Sequence, residues 1–231
     1  YLMIAVLSPA KTLDFECVTP APRPTKPAFE AEASELLSVL RRKTRPQLRE
    51  LMKISETLAD VNFQRYKTWS PGGSEDNARA ALFAFRGDVY TGFELEEYGK
   101  EDISFAQKHL RILSGLYGAL RPLDLIQAYR LEMGTQLKTV KGSNLYDFLD
   151  EKVTKSINSA IRKSGGETLI NLASKEYFSV LQPDKSNAEV ITPQFKQKKD
   201  GGYISMQETK MRKILQMIYT QHIDLNSIKS R

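Results

Sequence analysis

Two short runs, Leu2–Leu7 and Thr168–Ala173, constrain the fold of this chain more than any other feature. Both are almost continuously apolar and rich in branched side chains, the pattern of strands buried on both faces of a sheet. Such a sheet needs helices to cover it, and the intervening sequence supplies them. Phe29–Arg41 carries Leu36, Leu37, Val39 and Leu40 at helical spacing, and Thr44-Arg45-Pro46 opens a second helix through Leu48, Leu51 and Met52. Ser55-Glu56-Thr57-Leu58 caps a third, running to Trp69. These two could form a helix-turn-helix, but the mixed charges of the latter favour a packed core pair. Asn77–Phe85 reads as a further helix and Asn144–Ile161 as an amphipathic one. Tyr129–Gly134 reads as a strand with Arg130 and Glu132 on one side. Glu189–Phe195 and Gly202–Met206 flank a Lys-Gln-Lys-Lys-Asp-Gly-Gly turn as an antiparallel pair, and Glu208–Ile223 is a basic amphipathic helix. The expectation is a mixed α/β (α+β-like) fold, a single domain over 1–231, with a central, mostly buried sheet flanked by helices.

Each apolar run ends in polar residues, where open α/β sheets place their ligand sites. Ser8, Lys11 and Thr12 follow the first; Asn171, Ser174, Glu176 and Tyr177 end or follow the second. With Arg130 and Glu132 they compose a candidate pocket: Lys11 as nucleophile or phosphate anchor, Glu176 or Glu132 as acid/base, Asn171 and Ser174 orienting a small-molecule ligand. The simpler alternative is a polar sheet edge whose members satisfy one another.

A second candidate lies at Ser104–Gly134. A helical pattern through Phe105 and His109 runs into Leu113-Ser114-Gly115-Leu116-Tyr117-Gly118, and an apolar segment around Pro122 follows. Helix, Gly-x-x-Gly hairpin, helix is the outline of a helix-hairpin-helix at about 104–127, in which backbone N–H groups hold a phosphate without reading a base. Lys108, Arg111 and Arg121 would add charge around Gly115, Leu116, Tyr117 and Gly118. The competing reading is an ordinary αα-hairpin with a glycine cap. A formal charge of +6, from 34 basic and 28 acidic residues, favours an anionic partner without specifying one. The lone Cys17 excludes an intrachain disulfide framework and multi-cysteine metal sites. His109 and His222 are far apart, so no metal or other cofactor is expected. No run is long enough to span a membrane, and a reduced cytoplasm is the default location.

Several segments together resemble the YaaA family of bacterial proteins linked to peroxide stress. They are Ser8–Leu13, Leu51–Ser55, Arg86–Gly92, Leu110–Asp124, Arg130–Gly134, Asn171–Ser174 and Glu176–Phe178, in the family's order up to about Phe195. Beyond that, Gln207–Lys213 stands where the family usually carries a basic stretch. The resemblance implies a one-domain fold of unusual topology, a helix-hairpin-helix DNA-binding element, sequence-independent binding of duplex or locally unpaired DNA, and a role in limiting oxidative damage. The alternative is an enzyme acting on a nucleobase, nucleoside or DNA lesion through a Lys11/Glu176 pocket, lyase- or glycosylase-like, with a desolvated lysine.

Overall fold

Every residue of the first strand, β1 (Met3–Leu7), is buried, as its unbroken apolar sequence requires. The computed structural model describes residues 3–16, 23–74, 76–91, 93, 95, 98–186, 188–193, 196–199 and 202–205. Cys17, His222 and the helix expected over Glu208–Ile223 lie outside them. After β1 come a two-residue strand, β2 (Thr12–Leu13), and three helices, α1 (Glu30–Leu40), α2 (Arg45–Met52) and α3 (Glu56–Thr68). Short elements follow, namely β3 (Ala78–Ala80), α4 (Ala81–Ala84), β4 (Phe85–Arg86) and α5 (Asp88–Thr91), and then α6 (Lys100–His109). Next are β5 (Leu110–Ser114), β6 (Gly118–Leu120), β7 (Leu125–Gln127), α7 (Leu145–Leu149) and α8 (Lys152–Ser164). β8 (Thr168–Asn171), α9 (Lys175–Phe178) and β9 (Glu189–Ile191) precede a hairpin of β10 (Lys196–Lys199) and β11 (Gly202–Ser205).

One five-stranded sheet, in the order β6-β5-β1-β8-β9, forms the centre. β1 pairs in parallel with β5 on one side and β8 on the other. β9 continues in parallel beyond β8, and β6 closes the opposite edge antiparallel. The fold is thus mixed α/β, with both apolar runs at its middle. α6 and α8 pack on each other and against β1. No helix among the described residues is long and apolar enough to cross a membrane.

The helix starts read from sequence at Thr44 and Ser55 are formed. Thr44 and Gln47 make a reciprocal box at the start of α2, with the Thr44 amide donating to Gln47 Oε1 at 2.8 Å. Ser55 Oγ accepts the Leu58 N–H as α3 begins.

The helix-hairpin-helix expected at 104–127 is not formed. α6 stops at His109, the chain enters the sheet as β5, and the two glycines bracket a β-turn that returns it as β6, Ser114 opposite Gly118. Gly118 sits at φ +62, and no helix forms around Pro122. Residues 112–120 are buried throughout, so a hairpin inside the sheet satisfies them better than helices with a polar face. Two glycines three apart fit a tight β-turn as well as a helix cap. Other corrections are smaller. Asn77–Phe85 divides into β3, α4 and the start of β4. The helix expected over Asn144–Ile161 breaks at Asp150, held at φ +43, into α7 and α8. Residues 129–134 belong to no strand.

Gly115 is needed for a different reason than a helix cap. A Cβ there would stand 2.3 Å from the Leu131 carbonyl oxygen. Gly115→Ala must push residues 131–132 off the turn and is expected to cost about 1–3 kcal/mol. A urea-unfolding midpoint equal to that of the unsubstituted chain would refute the close approach.

Candidate functional site

Because β1, β5 and β8 are parallel neighbours, their carboxyl ends open side by side. From those ends leave Ser8–Lys11, the Gly115 turn, and Leu172–Ser174. Residues 129–134 lie across the turn, with Leu131 and Glu132 backbone seated on Gly115. The hydrogen bonds of this assembly are nearly all internal. Ser114 Oγ accepts the Tyr117 amide at 2.9 Å and bonds the Tyr129 hydroxyl at 2.7 Å. Tyr90 donates its hydroxyl to the Ser8 carbonyl at 2.8 Å. The Ser174 amide donates to Ser8 Oγ at 2.8 Å, tying the two strand-end loops together.

At the mouth, one carboxylate oxygen holds two cations. Lys11 Nζ lies 3.2 Å from Glu132 Oε1, and Arg130 Nη2 donates to the same oxygen at 3.1 Å. The Lys11 side chain is 67% exposed, so the desolvated lysine expected from the sequence is not present. Arg130 Nε is buried without a hydrogen-bond partner among the described residues. Lys11, Tyr129, Arg130, Glu132 and Tyr177 line a crevice of about 20 Å³, room for one water.

The remaining candidate pocket residues support this crevice from behind. Glu176 Oε1 accepts the Gly134 amide at 2.8 Å, a backbone brace rather than a free acid. Asn171 accepts the Ala173 amide at 3.0 Å and donates to Thr192 Oγ1 at 3.2 Å. Thr12 pairs with Arg86 in the β2–β4 ladder and does not line the crevice. Sequence reasoning missed Tyr90 and Tyr129, since a buried tyrosine reads as core until its hydroxyl's partner is known.

The residues grouped around the Gly-x-x-Gly hairpin are not brought together. Gly115, Leu116, Tyr117 and Gly118 are buried at the carboxyl end of β5. Lys108 and Arg111 lie at its amino end, where Arg111 Nη1 donates to the Gln107 carbonyl at 3.1 Å and closes the end of α6. Arg121 is paired with the buried Asp124 at 2.8 Å.

The packed pair expected of the second and third helices is formed. α2 and α3 are joined by three residues: Lys53 in the left-handed conformation (φ 52, ψ 49), Ile54 nearly buried, and the cap Ser55. Arg45 ties the pair, 2.7 Å from Asp60 and 4.2 Å above the Phe63 ring. The Leu-Met-Lys-Ile-Ser stretch carried the signal, with a lysine where this hairpin favours glycine. Tyr66 of α3 donates its hydroxyl to the Arg130 carbonyl, joining this hairpin to the crevice.

Comparisons with known proteins agree on one family. A family profile described as peroxide stress protein YaaA matches residues 3–228, well past Phe195. A UPF0246 protein from Hahella chejuensis is 51% identical over 201 residues, covering 87% of this chain and 78% of the relative. Another UPF0246 protein, from Idiomarina loihiensis, is 50% identical over the same length and shares.

Burial pushes the phenols of Tyr66, Tyr90, Tyr117, Tyr129 and Tyr177 above the usual tyrosine range, helped at Tyr177 by Glu176 and Glu132. The folded state therefore holds these protons to higher pH than the unfolded chain does. Their stabilising contribution is complete below about pH 10 and is lost as pH rises beyond it. Arg65 and Arg111, lowered by burial, act in the opposite sense but are outnumbered. Stability should fall above about pH 10. Tyrosinate absorbance at 295 nm should then rise together with the loss of far-ultraviolet ellipticity; a rise well before unfolding would show that these hydroxyls are accessible.

Proposed function

Since the chain belongs to the peroxide stress protein YaaA family, we propose that it serves the peroxide-stress response by gripping the DNA backbone, without reading sequence, through the hairpin between α2 and α3. The observation that carries this reading is the left-handed Lys53 between two packed helices. It turns the chain sharply enough to present the start of α3 outward, where the amides of Glu56 and Thr57 have no partner in the helical ladder. Those amides and the positive end of the α3 dipole suit a phosphate oxygen. Lys53 and Arg49 are both exposed beside it. Such contacts fix the protein on a duplex and carry no base information.

Lys53→Gly separates shape from charge. Glycine adopts the left-handed conformation freely, so the variant should be more stable by about 0.5–1 kcal/mol. Its DNA affinity should nonetheless drop, with the slope of log affinity against log salt reduced by about 1. Fluorescence anisotropy with a labelled duplex across a salt series measures both. Glu56→Gln, removing an acid from the first turn of α3, should bind more tightly. Unchanged binding in both variants would remove this hairpin from the interface.

A second reading is favoured by the convergence of Lys11, Arg130 and Glu132 at the strand ends. In it, DNA gripped by the hairpin is delivered to the crevice, whose backbone Tyr66 holds. Lys11 Nζ would add to the aldehyde carbon of an abasic sugar and expel water, leaving an imine, with Glu132 taking the ammonium proton first. Borohydride should trap a covalent adduct on abasic duplex that Lys11→Ala abolishes while keeping duplex affinity. Absence of adduct with the unsubstituted chain would leave the crevice without this chemistry.

A further inference from the structure

The largest cavity described is at the other end of the sheet from the crevice. It is an open groove of about 750 Å³ between the end of α6, the start of β5, the end of β6 and the second half of α8. Among the described residues its wall carries four cations, Lys108, Arg111, Arg121 and Lys163, against a single acid, Asp124. That acid is fully buried and already satisfied, accepting from Thr25 Oγ1 at 2.6 Å and from the Arg121 amide at 2.8 Å. It cancels one cation and leaves three.

The two guanidiniums are fixed in place. Arg111 is anchored through Nη1 to the carbonyls of Gln107 and Leu110, the latter at 2.6 Å. Arg121 is anchored by Asp124 and by the Lys26 carbonyl at 2.9 Å. Burial, and then the neighbouring Arg121, depress Arg111 to about 10, a cost that an anion between them would relieve. Lys108 and Lys163 are exposed and can close on a ligand from either side. One part of the wall is aromatic: Phe105 and His109 stack with ring centroids 4.4 Å apart, and His109 is oriented by Nδ1 donating to the Met3 carbonyl at 2.9 Å. Volume, fixed cations and a ring platform together match a ligand with a flat base and more than one phosphate.

We propose that this groove is a binding site for a nucleoside polyphosphate, its phosphates held by Lys108, Arg111, Arg121 and Lys163 and its base against the Phe105–His109 pair. The site is separate from both readings of function above and does not rest on either.

The test is isothermal titration calorimetry of the full chain at low salt with ADP, inorganic pyrophosphate and adenosine, each repeated on Lys108→Ala/Lys163→Ala. Both lysines are on the surface, so the double variant should keep its circular dichroism spectrum and melting temperature. The expected result is ADP binding that weakens about tenfold or more in the variant, with pyrophosphate binding less tightly and adenosine not at all. Duplex affinity should be unchanged in the variant. Four outcomes overturn the proposal. ADP could fail to bind, or bind both proteins equally. Pyrophosphate could match ADP, leaving no role for a base. Duplex binding could fall in the variant while ADP gives no heat, assigning the groove to nucleic acid.

Discussion

The seating of residues 131–132 on the Gly115 turn is the contact on which the candidate site depends. It has no slack, since the space a methyl group would need is occupied by the Leu131 carbonyl. Ser114 locks the contact from within by holding the turn amides of Leu116 and Tyr117 together with the Tyr129 hydroxyl. The Tyr117 hydroxyl accepts the Trp69 indole N–H at 2.8 Å and the Gln127 amide at 3.2 Å, so the same knot reaches the end of α3 and β7. Buried hydroxyls with every partner in place restrict the core to one arrangement. Arg130 and Glu132 are thereby fixed over the strand ends rather than left on a free loop.

The two apolar runs could be read from sequence, and the chain around them only in part. Leu2–Leu7 and Thr168–Ala173 announce buried strands because nothing polar interrupts β1 and little interrupts β8, and their carboxyl ends then locate Ser8, Lys11, Asn171 and Ser174. The Ser55 cap and the helix start at Thr44-Arg45-Pro46 were legible because helix initiation is local chemistry. Leu110–Leu120 was misread because an apolar run with one arginine has no periodicity to separate helix from buried strand. The glycines of that run signalled a turn correctly but not its kind. Roles within the site were also unreadable. Glu176 and Glu132 look equivalent in sequence, yet one braces the Gly134 amide and the other faces Lys11. Only the path of 129–134 over the turn distinguishes them.

Tyr66 gives the two proposed activities a common mechanical element. Its ring is buried, its hydroxyl holds the Arg130 carbonyl, and it lies in the last turn of α3. Arg41 in turn donates from Nε to the Tyr66 carbonyl at 2.6 Å, clamping that turn against the end of α1. A load on the start of α3, such as a bound phosphate, is carried along a helix whose far end is tied to the crevice backbone. Close-packed contacts of this kind transmit displacement rather than absorb it. A phosphate bound at the start of α3, as proposed, would therefore be coupled to crevice geometry whether or not the crevice is catalytic.

The modest overall charge conceals an uneven distribution. At the carboxyl end of the sheet, Lys11 and Arg130 share one carboxylate, so the crevice carries only about one net positive charge. At the amino end, Asp124 is committed to Arg121 and Thr25, and among the described residues no other acid lines the groove that three cations face. Arg111 makes the imbalance structural, because its guanidinium also closes the end of α6 and cannot move away without unravelling that helix end. A buried arginine crowded by a second one costs stability unless something repays it. The helix end accounts for the hydrogen bonds of Arg111 and Asp124 for the placing of Arg121, and an anion held between the two, as proposed, would offset the repulsion that remains.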